Sequence, residues 1–376
     1  RLCRYYKRNK ERRSVSMQEM SAYFHELKGT AYEVGKQQAI WLKERPLLKK
    51  QYIQSEPLSK EAVKETKQLI RPFLPQLEEE LSGFCDEMQI DESELTFFYS
   101  SHLQPGCSHC VMQGNEAANQ QTVMLRNYDF SPLFDDMRLV STHVKGSSVH
   151  TGSSLILFGR SDGMNEHGLS VTFSACGPPI GNEPGLKPPA VAGLQVYHVI
   201  RAVLESCKTV EDAVRLVQEM PVASNVHLML ADRQGEAAVI EMIDGQKKVR
   251  RPERGFIAAT NHPLADHTAK GLTKHHSVVR YDMLIQALEE QPSSESLTEL
   301  FQAEYPAGLT VHNYEELFGT MRTVMFRPEE RTMEYCFGSP VYNPTYSLKV
   351  GGTLPFHEQT IQFHQKDYGP SFWRNV

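Results

Sequence analysis

The chain changes texture at Gln104-Pro105-Gly106, and that change limits what it can fold into. Upstream, from Met17 to about Leu95, the sequence reads mostly helical. Tyr32-Glu33-Val34-Gly35-Lys36-Gln37-Gln38-Ala39-Ile40-Trp41-Leu42 has few β-branched residues and apolar positions near helical spacing. Ser59 is a capping-type start for a second helix that runs through Leu69 and Ile70 to Pro72, and Pro75 opens a third with Leu77, Leu81 and Phe84 on one side. Downstream, short β-rich runs bounded by turn residues take over: Thr122–Tyr128, Ser154–Phe158, Leu169–Phe173 and Ala237–Met242. Two helical blocks interrupt them, Val196–Glu219 (with a Thr209-Val210-Glu211-Asp212 start inside it) and Ser277–Glu290. Strands at Thr323–Arg327 and Thr332–Phe337 close the chain. Strand runs with helix pairs between them predict a layered α+β fold whose N-terminal segment is mainly helical.

Composition narrows the class. The 376 residues are 40% apolar and 23% charged, an ordinary globular balance for one large domain or two. A net charge of −6 argues against a general nucleic-acid binder. No apolar run approaches the ~18 residues that would cross a bilayer. Residues 1–16 carry seven basic side chains against Glu11. No apolar core follows them, so they do not read as a signal peptide; they read as a disordered basic leader, or as residues upstream of a start at Met17. The expected location is cytoplasmic. Seven cysteines, odd in number and thinly spread, do not form a disulfide framework and fit a reducing compartment.

Gly106-Cys107-Ser108 is where chemistry concentrates. If the Gly106–Cys107 bond breaks, Cys107 gains a free α-amine beside its thiol, so one residue holds nucleophile and base. Such an amine has a pKa of roughly 7.7–8.0 and accepts a proton near neutral pH, which an amide does not. Arg126 and Asp129, in Arg126-Asn127-Tyr128-Asp129, are the candidates to orient the amine and favour thiolate. The Cys107-x-x-Cys110 spacing offers a rival, redox or metal. A structural zinc wants four ligands and no second such pair exists; a thioredoxin-type site wants a helix at the first cysteine, whereas Cys110-Val111-Met112 reads as strand.

Eight segments in order carry a family resemblance from about residue 27 to 340. They are Gly29-Thr30-Ala31-Tyr32-Glu33-Val34-Gly35, Leu81-Ser82-Gly83, Gly106-Cys107-Ser108, Arg126-Asn127-Tyr128-Asp129, Gly163–Leu169, Ala231–Gly235, Thr260-Asn261-His262-Pro263 and Ser277-Val278-Val279-Arg280-Tyr281. Together they resemble the C45-type autoproteolytic acyltransferases and hydrolases of the N-terminal-nucleophile (Ntn) group, the isopenicillin-N acyltransferase-like enzymes. More distantly they are similar to bile salt hydrolase and penicillin V acylase.

The resemblance implies an αββα sandwich and self-cleavage at Gly106–Cys107. It divides the chain into the leader 1–16, a mainly helical pro-segment or small chain 17–106, and a catalytic chain 107–376. It implies Cys107, Arg126, Asp129, Asn261 and Arg280 as site residues, with Asn261 as oxyanion donor. Arg280 otherwise reads as a solvated helix charge, His262 as structural, and Asn165 as shaping the 164–168 turn. Bile salt hydrolases carry a further Asn where this chain has Ser170–Cys176 and none, which weighs against a bile-salt substrate.

The activity so implied acts on amides or acyl thioesters. It needs no cofactor or metal, with acyl-coenzyme A as a possible substrate. The partners are a small-molecule substrate and the chain's own pro-segment, with a homo-oligomer open and no nucleic acid or membrane span. An uncleaved binding protein on the same fold, or a Cys107/Cys110 thiol-redox protein, are the alternatives.

Overall fold

The computed structural model describes residues 17–98, 104–114, 121–177, 180–181, 186–264 and 276–369. The basic leader 1–16 lies outside them. The chain opens with β1 (Met17–Gly29), then α1 (Ala31–Lys43), α2 (Pro46–Tyr52), α3 (Lys60–Ile70) and α4 (Leu77–Met88). After Gly106 come β2 (Gly106–Met112), β3 (Val123–Phe130), β4 (Arg138–Val144), β5 (His150–Leu155), β6 (Gly159–Arg160), β7 (Asp162–Asn165) and β8 (Ser170–Ala175). The helix pair α5 (Val196–Ser206) and α6 (Val210–Glu219) precedes β9 (Val226–Ala231), β10 (Ala237–Ile243), β11 (Gln246–Arg250) and β12 (Phe256–Ala259). A second pair, α7 (Ser277–Glu289) and α8 (Ser294–Gln302), leads to β13 (His312–Asn313), β14 (Phe318–Arg327), β15 (Thr332–Phe337), β16 (Thr345–Lys349) and β17 (Glu358–His364).

These strands form two sheets. One runs β11-β10-β9-β8-β7-β5-β4-β1-β17 with β6 on β5; the other runs β12-β2-β3-β14-β15-β16 with β13 on β14. The sheets face each other where β2 and β3 meet β8 and β9. Helices α5 and α6 cover the outer face of the first, and α7 and α8 that of the second. The layers therefore run α-β-β-α, and strands such as β3, β9 and β14 are buried on both faces, with β3 and β14 carrying Arg126, Asp129 and Arg322 into the interior.

The N-terminal segment departs from expectation in one respect. Met17–Gly29, read as part of a helical region, is a 13-residue strand. Its first half pairs antiparallel with β17 (Tyr23 opposite Glu358) and its second half pairs parallel with β4 (Tyr23 opposite Arg138). The run has few β-branched residues, so local propensity does not announce a strand; its neighbours in the sheet impose one.

The helices follow their local signals. Thr30 caps α1 in a box with Glu33, Ser59 caps α3, and Thr209 caps α6 in a box with Asp212. Glycines let α1 and α4 touch. A Cβ on Gly35 would stand 1.9 Å from the Glu80 carbonyl, and one on Gly83 would stand 2.1 Å from that of Tyr32. Two of the sequence motifs thus meet in one helix–helix contact that only glycine allows. The pair is tied to the sandwich by Glu80, buried on α4, which ion-pairs with Arg201 on α5 and accepts from Gln38 at 2.5 Å.

Candidate active site

Cys107 is the second residue of β2, opposite Tyr128 on β3, and has no solvent exposure. Strand alternation sends its side chain, with those of His109 and Val111, into the space between the sheets. The His109 ring there meets Thr172 of β8 at 2.9 Å. Ser108 and Cys110 point the other way. Cys110 packs among Leu284, Leu288, Leu297 and Phe301 under the second helix pair. The two thiols of Cys107-x-x-Cys110 therefore sit on opposite faces of one strand, which removes the geometric basis for the dithiol reading. Among the described residues no cluster of His, Cys, Asp or Glu could hold a metal ion, and every described cysteine is a free thiol.

Three elements converge on Cys107. From β3, the buried Arg126 places Nη2 at 3.6 Å from Cys107 Sγ. From the first turn of α7, Arg280 Nη1 donates to the Cys107 carbonyl and to Ser108 Oγ, both at 2.7 Å, and Nη2 donates to Asn261 Oδ1 at 2.8 Å. Arg280 is fully buried, so the solvated-charge reading is excluded. From the turn after β12, Asn261 Oδ1 accepts from Cys107 N at 3.0 Å. Its Nδ2 donates to Pro105 O at 3.0 Å and Ala175 O at 2.9 Å. Ser277 pins the turn by accepting from Asn261 N at 2.7 Å. His262 Nδ1 lies 2.8 Å from the same hydroxyl and takes a supporting place.

Asp129 lies on the opposite face of β3 from Arg126, and the two do not pair. Its backbone stands opposite Gly106, Oδ1 accepts from Thr320 Oγ1 at 2.7 Å, and Oδ2 has no hydrogen-bond partner among the described residues. Burial pushes its carboxyl up to about 7, against the pull of Arg280, the Thr320 hydroxyl and Arg126. Burial likewise pushes the Cys107 thiol up, opposed chiefly by the Arg126 guanidinium. Gly106 needs its missing side chain: a Cβ there would lie 2.1 Å from Phe318 Cε2, and Arg280 sits over that ring with Cζ 5.1 Å from its centroid.

Arg126 has partners that motif reading did not reach. Nη1 donates to Asp162 at 2.6 Å, and Asp162 also accepts from Arg322 at 3.2 Å. Neither residue was singled out in the sequence; both are joined to Arg126 only through the sandwich. Asn165 does shape its turn, with Oδ1 accepting from His167 N and Leu169 N while Nδ2 donates to the Leu204 and Cys207 carbonyls.

A search of curated proteins gives no match. Among solved structures, penicillin V acylase from Agrobacterium tumefaciens is 19% identical, with 65% of this chain and 86% of that one covered at a TM-score of 0.45. A mutant of conjugated bile acid hydrolase from Clostridium perfringens is 13% identical, with coverages of 66% and 97% and a TM-score of 0.44. The Caenorhabditis elegans ortholog of N-acylethanolamine-hydrolyzing acid amidase is 18% identical, with coverages of 59% and 93% and a TM-score of 0.39. The family pattern of acyl-coenzyme A:6-aminopenicillanic acid acyl-transferase matches residues 115–342, a span that includes Arg126, Asp129, Asn261 and Arg280 and begins after Cys107. With more than half of its length matched, the chain belongs to the acyl-coenzyme A:6-aminopenicillanic acid acyl-transferase family.

Proposed function

We propose that this chain is an N-terminal-nucleophile cysteine enzyme that cuts itself at Gly106–Cys107 and then transfers or hydrolyses acyl groups held in amides or thioesters. The observation that carries the reading is the convergence of Arg126, Arg280 and Asn261 on one buried cysteine that follows a sterically required glycine.

In the first step, Cys107 Sγ attacks the Gly106 carbonyl carbon, the C–N bond opens and the nitrogen leaves as the Cys107 α-amine. Water then releases Gly106 as a carboxylate and restores the thiol. The new amine remains beside Asn261 Oδ1, which already accepts from that nitrogen, and Asp129 is its candidate charged anchor. In the working cycle the amine takes the thiol proton, the thiolate attacks the substrate acyl carbon, and the amine returns the proton to the leaving group. Departure of the 17–106 chain end frees Asn261 Nδ2 from Pro105 O, so the donor becomes available to a tetrahedral oxyanion. Water completes hydrolysis; an amine or thiol acceptor completes transfer. No step requires a cofactor, and acyl-coenzyme A is a candidate donor.

Intact-mass measurement tests both halves. The wild type should appear as chains of about 12 and about 31 kDa, and should gain an acyl mass on the larger one from some member of a panel of acyl amides and thioesters. Cys107→Ala should stay a single 42.7 kDa chain and gain none. Cleavage at this bond in Cys107→Ala defeats the proposal.

A further inference from the structure

Arg126 is the end of a row of four buried charges that crosses the sandwich. Its Nη1 donates to Asp162 Oδ2 at 2.6 Å and to Ser161 O at 2.9 Å, and its Nη2 donates to Phe173 O at 2.8 Å. Asp162 accepts in turn from Arg322 Nε at 3.2 Å, and Arg322 Nη1 meets both oxygens of Asp135 at 3.0 and 2.9 Å. None of the four side chains exceeds 2% exposure. In spatial order the row reads positive, negative, positive, negative, and only its first member reaches Cys107.

We propose that Asp162 and Arg322 are positioning residues that tune the Cys107 sulfur through Arg126. Asp162 fixes the guanidinium plane so that one Nη2 hydrogen is left for Sγ, and it draws off part of the guanidinium charge. Arg322 limits how much it draws. The inference rests on Cys107 being the nucleophile.

The physical argument is one of charge and of hydrogens. Arg126 has four Nη hydrogens, and Asp162, Ser161 O and Phe173 O take three of them, which fixes the direction of the fourth. The interior screens these charges weakly, so a change of one unit in the row is felt at the sulfur. The other titratable groups around the pair stay in place under the test. They are Asp129 and Tyr128 from β3, Arg280 from α7, His109 from β2, and Tyr335 from β15 on the Arg322 side. With both acids ionised the row is neutral. Asp162→Asn leaves it one charge positive beside the thiolate; Arg322→Gln leaves it one charge negative. A role confined to packing would not separate the two by sign.

The experiment reads the thiol directly, whether or not a substrate is known. Protein carrying a 13C label at the cysteine Cβ is titrated by NMR, the Cys107 signal being identified by its loss in Cys107→Ser, and variants are compared in the same cleavage state. Asp162→Asn should lower the Cys107 midpoint by about one pH unit and Arg322→Gln should raise it by about one. Shifts in the same direction, or no shift in either, overturn the proposal. Should either variant fail to fold, Asp135→Asn at the far end of the row must lower the midpoint by a smaller amount, and an unmoved or raised midpoint there overturns it equally. Turnover that survives Cys107→Ala would defeat the nucleophile reading instead, and the signs of the two shifts would still report on the row.

Discussion

Replacing Gly106 by alanine should expose how closely the residue before Cys107 is coupled to the arginine that holds it. The added methyl would stand 2.1 Å from Cε2 and 2.4 Å from Cδ2 of Phe318, where ordinary contact begins near 3.4 Å. The ring must therefore retreat by more than 1 Å. It has little room, since Phe318 is fully buried with Val311 and packed on by Tyr305 and Tyr368. Forcing a methyl into such a site costs about 1–3 kcal/mol. The ring also lies beneath Arg280, so its retreat disturbs the donor to Cys107 O and Asn261 Oδ1. The assay is equilibrium unfolding in the Cys107→Ala background, where the chain stays whole. Gly106→Ala alone should lose about 1–3 kcal/mol, whereas in a Phe318→Leu background it should cost less than about 1 kcal/mol because the clashing ring edge is gone. Equal cost in the two backgrounds would refute the steric argument.

Other expectations are more direct. Asn261→Ala should lower kcat by roughly 10²–10³ with little change in KM, measured on the matured fraction; normal maturation with unchanged kcat and raised KM would place Asn261 in ground-state binding instead. Asp129→Asn should stabilise the uncut Cys107→Ala chain at alkaline pH. Burial raises the Asp129 carboxyl from 3.8 to about 7, so the folded state keeps a proton that the unfolded state has released. Ionising it costs stability as pH rises through that window. The advantage of the variant should be absent below about pH 4 and reach a few kcal/mol above about pH 7, and a difference that stays flat with pH would contradict it. Cys110→Ser should leave cleavage and turnover within a few fold, since that thiol faces away from Cys107; loss as complete as in Cys107→Ala, with the fold intact by circular dichroism, would count against the site.

What could be read from the chain beforehand divides along the range of the interaction. Thr30, Ser59 and Thr209 announce their helices because a cap acts within three residues. The opposite facing of Cys107 and Cys110 follows from strand period alone once β2 is a strand. β1 was not legible, because Met17-Gln18-Glu19-Met20-Ser21-Ala22 carries no strand signal of its own and takes its form from β4 and β17, more than 100 and more than 300 residues away. Asn261 and Arg280 stood out through the short motifs around them. Asp162 and Arg322 did not, since they meet Arg126 across 36 residues in one case and meet each other across 160 in the other, with no spacing pattern to mark them.

The place of β1 bears on how the molecule would endure the proposed cut at Cys107. Residues 17–106 supply the strand that joins β17 to the rest of its sheet, and Glu80 buries an ion pair with Arg201 on the far side of that bond. Two chains sharing one sheet in this way do not part without dismantling it, so a cut molecule would hold its shape by the height of the barrier to unfolding. Once unfolded, however, its halves must find each other again, and recovery changes from a first-order to a second-order event. The uncut chain folds at a rate indifferent to dilution; the cut one, heated and cooled, should regain structure only in proportion to how often its pieces collide. Such a protein would be assembled once, as a single chain, and thereafter kept rather than remade.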